Sequence, residues 1–332
     1  MKNESRSAEG CTPAVSRRVA LALPGAALAA PALAQGRFPA HPIRIFVPWT
    51  AGSSSDVQMR SLAELAQQSL GQPVVTENRP GASGTLHAQP LAAARPDGHT
   101  LGQMHLSVVR RPFLVRQPQW DAVADYTHIL RLCGWMYGVA VKADSPHRSW
   151  GDLVASARAN PGRLTFATSG IATTNHIAME EILEREGAEM THIPFRGAQE
   201  GVTALLGKQI DVVADAQSWR PNVETGELRL LSVWTRDRLP SFPDAPTLRE
   251  LGYDMVVTSP YGIVGPKGLP PEIVDTLHRA FRKALEDEAS QAIIDRWEMP
   301  REYLGPAEYL SFAKERVEYE KRMVARMKLS ID

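Results

Sequence analysis

Two clusters of small, hydroxyl-bearing residues have the types and spacing to do chemistry. Thr50-Ala51-Gly52-Ser53-Ser54 follows the apolar run Ile43 to Val47, and Thr168-Ser169-Gly170, with Thr173 and Thr174, follows a second short run. Each crowds hydroxyls and backbone amides around a glycine, a set that can grip a negatively charged group without a buried lysine. A helix needs one cap, and the second cluster holds four hydroxyls, so some are left for a ligand. Gly81, Ala82 and Ser83 offer a further set of amides or form an ordinary tight turn. Asp56 stands three residues after Ser53, as in a capping box. Its charge at the positive end of a helix opposes a bare anion. It is therefore read as structural, with ligand reached through amides or bridging water.

Asp215 closes the run Asp211 to Ala214 and could accept from an ammonium or hydroxyl, orient water, or form a salt bridge. Arg196 could pair with a distal anionic group or a neighbouring acid. Trp49, Trp219 and Tyr261 border loops at strand ends, where an aromatic face can cover a ligand or pack in a core. The rival chemistry is an exported hydrolase or isomerase using Ser169 with His176. That pair needs mutual contact and an orienting acid, and no Gly-x-Ser-x-Gly elbow occurs. His176 is read instead as a packed or capping residue, so no catalytic residue is assigned. Zinc is not expected, because the histidines and cysteines include no His-x-x-x-His or Cys-x-x-Cys. No cofactor or metal is assigned.

These loops need strands and helices to hold them. The run Ile43 to Val47 reads as a buried strand ending at Pro48, followed by a helix from Ser54 to Leu70 that stops at Gly71. Strands are expected near 73–78 and 100–106, with a helix to about Ala94 between them, and a strand-like segment near 129–133. A second series begins at Val139: helix 149–159, strand 164–167, helix 173–186, strand 192–195, helix 199–206, then strands 210–214 and 230–234. Tyr261 to Pro266 reads as a returning strand before helices at 272–285 and 290–297. A last helix, Pro306 to Met327, carries Tyr309, Phe312, Arg316, Tyr319, Met323 and Met327 as a packing stripe. Such alternation implies an α/β fold with mostly parallel sheets covered by helices. Two series joined by short crossovers imply two lobes: 35–138 with 258–332, and 139–257.

At 332 residues, 43% hydrophobic and 22% charged, the chain can bury a sizeable core. Its formal net charge is zero, and no basic block or stripe points to nucleic acid or an anionic membrane. Arg17 and Arg18 precede an apolar run ending in Ala32-Leu33-Ala34, the small-x-small pattern of a cleaved signal. Residues 1–34 are read as that signal, and the protein as periplasmic. The apolar run is broken by Pro24 and Pro31 and falls short of the roughly 20 residues that span a bilayer. Ser16-Arg17-Arg18 also fits a twin-arginine core, and the ordinary Sec route is preferred. Cys11 leaves with the signal, so Cys133 has no partner.

The sequence resembles the Bug-type receptors of tripartite tricarboxylate transporters. The resemblance runs through Phe38-Pro39, Pro42 to Pro48, Gly52, Asp56, Arg60, Gly71 to Val75, Glu77 to Ala82 with Gly84, and Pro96 to Leu101. It continues through Pro161 to Leu164, Ala167 to Gly170, His176, His192 to Gly197, Gln209 to Asp211, Asp215, Gly226 to Arg229, Leu239-Pro240, Pro243 to Thr247, Gly262 and Pro266. It implies a two-lobed, type II-like periplasmic-binding-protein fold that closes on a small organic carboxylate and delivers it to a membrane permease. It implies a monomer without cofactor, and Asp215 resembles a family site residue. A receptor that reports occupancy to a membrane sensor remains open. The family pattern breaks at Trp49, Thr50-Ala51, Gly52-Ser53, Gly170-Ile171-Ala172 and Pro260, which leaves the ligand's identity open.

Overall fold

The computed structural model describes residues 38–331; the expected signal, with Cys11, lies outside them. The apolar run forms β1 (Ile43–Val47) and empties into the first loop and α1 (Ser54–Leu70). Ser53 caps α1 by accepting from the Asp56 amide at 3.3 Å, and Gly71 stops it at φ 69°. Then come β2 (Val74–Asn78), α2 (Ala88–Ala92), β3 (Thr100–His105) and α3 (Leu106–Arg110). The helix expected to reach Ala94 is reduced to α2 and a single 3-10 turn at Ala82–Gly84.

The segment that reads weakly as a strand near 129–133 is one 17-residue strand, β4 (Tyr126–Lys142). After it follow α4 (Trp150–Ala159), β5 (Thr165–Thr168), α5 (Thr174–Glu186), β6 (Thr191–Pro194), α6 (Ala198–Leu206), β7 (Val212–Ala216), α7 (Arg220–Glu224) and β8 (Leu228–Val233). The chain returns through β9 (Thr258–Pro266), α8 (Pro271–Glu286), α9 (Glu288–Arg296), β10 (Arg301–Leu304) and α10 (Pro306–Met327).

The strand order is β2-β1-β3-β9-β4-β7-β5-β6, with β10 and β8 also paired to β4. β4 pairs β9 as far as Met136 and pairs β7 from Tyr137 onward, so one strand belongs to two sheets. The sheets are mixed rather than mostly parallel. Parallel pairs lie at the outer strands, and every pairing of β4 and of β9 is antiparallel. The reason is topological: a chain that passes out on β4 and returns on β9 must run both ways through the middle. Gly262 permits the close approach there, since a Cβ on it would lie 2.3 Å from the Leu130 carbonyl oxygen.

The main core packs Leu62, Leu277 and Phe281 on the first sheet and continues into the second through Val139, Phe166 and Val212. Burying each such side chain contributes about 1.5–3 kcal/mol before entropy is counted. Cys133 is buried here as a free thiol. The stripe expected on α10 is rotated. Tyr309, Ala313, Glu320, Met323 and Val324 are buried, whereas Tyr319 is 48% exposed. A buried glutamate on that face has to find a partner.

Candidate functional site

The first loop is braced by Asp56, which is 2% exposed and accepts from the Gly52 amide (2.9 Å), Arg60 Nε (3.0 Å) and Asn78 Nδ2 (2.7 Å). Asn78 also donates to the Trp49 carbonyl at 2.9 Å. Asp56 is thus a structural residue, and Arg60 offsets its charge. Ala51 and Gly52 are exposed, Ser53 caps, and Ser54 and Ser55 are buried. The Trp49 ring lies against Gly84, with its centroid 5.2 Å from that of His105 and 5.7 Å from that of Trp135. Trp49 Nε1, Thr50 Oγ1 and Ser55 Oγ are buried and have no hydrogen-bond partner in the protein.

In the second loop several hydroxyls are engaged with their own backbone. Thr168 Oγ1 donates to the Gly170 carbonyl (3.0 Å) and contacts His192 Nε2 (2.7 Å), and Thr173 Oγ1 donates to the same carbonyl (2.8 Å). Thr174 Oγ1 accepts from Arg110 Nη2 at 3.4 Å. No side chain caps α5. Thr168, Thr173 and Thr174 therefore shape the loop, and their hydroxyls are not free in the way the sequence suggests.

The loops of the two sheets meet. Ser83, at φ 56°, donates from Oγ to the Ile171 carbonyl at 2.7 Å, and a Cβ on Gly170 would lie 2.5 Å from Ser83 Oγ. Thr50 faces Gly197, where a Cβ would come within 3.1 Å of Thr50 Oγ1. Gly81 and Ala82 form the turn that presents Ser83.

Asp215, at the end of β7, is 2% exposed and accepts from Ser169 Oγ (3.2 Å) and the Ala216 amide (2.8 Å). Burial pushes its pKa up to about 7, against these hydrogen bonds. Tyr137 stands beside it where β4 changes sheets, and burial, then the Asp215 carboxylate, raise its phenol. The sequence gives no signal for Tyr137, whose aromatic ring reads as core.

Folded Asp215 keeps its proton up to pH about 7, whereas the unfolded chain releases it near 4. The folded state binds more protons across that window, so this group lowers stability as pH rises from 4 to 7. Asp215→Asn is expected to remove that loss and gain on the order of 4 kcal/mol at pH 8, with little change at pH 4. Urea unfolding of both proteins at the two pH values checks it, and an equal difference at both would refute the assignment.

Tyr261 and Trp219 do not border an open cleft. Tyr261 is 1% exposed and its hydroxyl donates to Gln58, while Trp219 is fully buried and donates to the Asp215 carbonyl at 3.0 Å. Tyr261 is the fourth residue of β9 rather than its start, because the strand begins at Thr258, and Trp219 closes the 3-10 turn after β7; each ring turns into a core. Arg196 is exposed, and its backbone amide donates to Glu200. Ser169 and His176 do not pair. Ser169 donates to Asp215, while His176 Nδ1 accepts from the Ala172 amide at 3.1 Å and its ring lies 3.9 Å from that of His192. A groove of about 810 Å³ between α5 and α10 includes Thr174 but no other candidate residue.

The family model for the tripartite tricarboxylate transporter family receptor, TctC, matches residues 58–329. The chain belongs to that family. A Cupriavidus necator protein named for the gbd 5' region is 43% identical over 303 residues, 91% of this chain and 92% of the relative. The periplasmic binding protein BugD superposes with TM-score 0.82 at 27% identity, covering 88% of this chain and 99% of that one. MatC from Rhodopseudomonas palustris, solved with bound malate, superposes at TM-score 0.79 over 86% of this chain and 100% of that one. At 24% identity it supports the fold alone. The receptor has the bipartite α/β periplasmic-binding-protein fold and is periplasmic.

Ala172 is strained. The residue holds φ 56°, a left-handed conformation that costs an L-residue about 1–2 kcal/mol and a glycine almost nothing. Alanine meets this backbone need under strain, where glycine would meet it freely. Two residues with large roles escape sequence reading, Arg110 and Glu320. Each looks like ordinary surface charge until the fold buries both.

Proposed function

We propose that this receptor captures a small organic carboxylate between a first lobe, residues 35–138 with 258–332, and a second, 139–257, and hands it unchanged to a tripartite transporter permease. One observation carries the reading. Trp49 Nε1, Thr50 Oγ1 and Ser55 Oγ are buried, unpartnered and able to donate, beside the positive end of α1. Buried polar groups are nearly always paired, so this set calls for an acceptor from outside the chain, directly or through water. The facing loop supplies Gly170 and the Ser169–Asp215 pair, and contact at Ser83 and Gly197 closes the halves over the ligand. The malate held by MatC is a carboxylate of this class.

Family membership supports a non-catalytic, carboxylate-binding role in transport. A thermal-shift screen tests it with malate, longer dicarboxylates, and aliphatic and aromatic monocarboxylates. One class is expected to raise the melting temperature, since ligand at 100 times Kd adds about 2.7 kcal/mol. No shift with any carboxylate, or turnover of an ester in the same screen, would contradict the proposal.

A further inference from the structure

Arg110 ends α3 and is 2% exposed. Its guanidinium is forked onto Glu320 of α10, itself fully buried, with Nε–Oε2 at 2.6 Å and Nη2–Oε1 at 3.3 Å. Arg316, one turn away on α10, contacts the same carboxylate at 2.8 Å. α3 packs on α10, so this ion pair is a fixture of the half built on the first sheet.

The remaining donors of Arg110 point across the seam. Nη1 donates to the Ala172 carbonyl at 2.7 Å, and Nη2 reaches Thr174 Oγ1 at 3.4 Å. Met323 and Val324 of α10, with Leu114, pack on Ala172 and Ile177 beside it. Ala172 is the strained left-handed residue two places after Gly170, and its amide is held separately by His176.

We infer that Arg110 is the positioning residue of the second loop: anchored on Glu320, it takes the Ala172 carbonyl, fixing the left-handed turn and drawing the two halves closed. The inference rests on the reading that the ligand binds between the halves. Only a planar fork serves both sides at once. A lysine can keep Glu320 neutralised, but its single ammonium cannot also hold the carbonyl in that geometry. The ion pair belongs to one half and persists when the halves part, whereas the Ala172 contact exists only when they meet.

Disulfide trapping reads closure without any ligand. A Cβ on Gly197 lies 3.9 Å from that of Thr50, a separation suited to a disulfide, and Gly197 has extended backbone with φ −174°. In a Cys11→Ser chain carrying Thr50→Cys and Gly197→Cys, mild oxidant is expected to form the cross-link readily. Adding Arg110→Lys is expected to slow it about tenfold, the effect of losing one charge-assisted hydrogen bond, with the melting temperature retained. Arg110→Gln with Glu320→Gln removes both buried charges and is expected to slow it equally, and this double variant carries the test if lysine does not fold. An unchanged rate in either folded variant, or no cross-link in the parent, overturns the inference. Failure of the carboxylate screen would strike the ligand reading and leave this measurement standing.

Discussion

Asp56→Ala is expected to cost about 3–5 kcal/mol of stability, the range for removing one member of a buried charged network. Three donors converge on this carboxylate from three places in the chain: the Gly52 amide, Arg60 one turn along α1, and Asn78 at the end of β2. Arg60 is half exposed and recovers water when its partner is lost, so its share is small. The Gly52 amide and the Asn78 amide hydrogen aimed at Asp56 account for most of the loss, because each loses its acceptor. Asn78 also holds the Trp49 carbonyl, so the loop should loosen at both ends. A urea midpoint shifted with unchanged slope would report this as a stability effect. Asp56→Asn should cost roughly half as much, since one acceptor oxygen remains. A loss below about 1 kcal/mol for the alanine variant would show that Asp56 does not brace the loop.

Gly170→Ala is expected to weaken carboxylate binding by about 10–100-fold while leaving the fold intact. Gly170 has φ 138°, and an added Cβ would sit 2.5 Å from Ser83 Oγ and 3.0 Å from Ser83 Cα. The second of these is backbone and cannot swing away. The obstacle belongs to the opposite half, so the protein can relieve it by opening. Overpacking of this kind costs about 1–3 kcal/mol, which falls on the closed form alone and so on affinity, whereas the strain of alanine at φ 138° falls on both forms and lowers stability instead. Titration calorimetry with the carboxylate found by the screen measures it. Unchanged affinity would show that Gly170 and Ser83 are not in contact when ligand is bound.

The local part of this design is legible in the sequence. The unit β1, first loop and α1 is announced by a β-branched run, Pro48, the Ser53 cap and Gly71, and the structure has all four at work. α10 is likewise predicted at its observed limits, Pro306–Met327. What escapes is set by distance along the chain. Arg110 and Glu320 are 210 residues apart, and each alone is one more charged residue on a helix. The length of β4 is hidden because it runs through the middle of both sheets, buried on both faces, and shows no alternation of apolar and polar residues. The hydroxyls of Thr168 and Thr173 have the right type, and only the loop conformation reveals that both bond the Gly170 carbonyl. Tyr261 reads as the start of the returning strand, but β9 begins at Thr258, so Tyr261 falls inside it and its ring turns inward, onto Trp135.

On the proposed reading, the buried, unpartnered donors at the start of α1 receive the ligand's carboxylate. A crystal structure with the most stabilising carboxylate of the screen tests it directly. A carboxylate oxygen, or a water it holds, is expected within about 3.2 Å of Thr50 Oγ1 or Trp49 Nε1, with Gly170 and Ser83 closed over it. A carboxylate bound instead in the groove between α5 and α10, with those donors still unpaired, would contradict it.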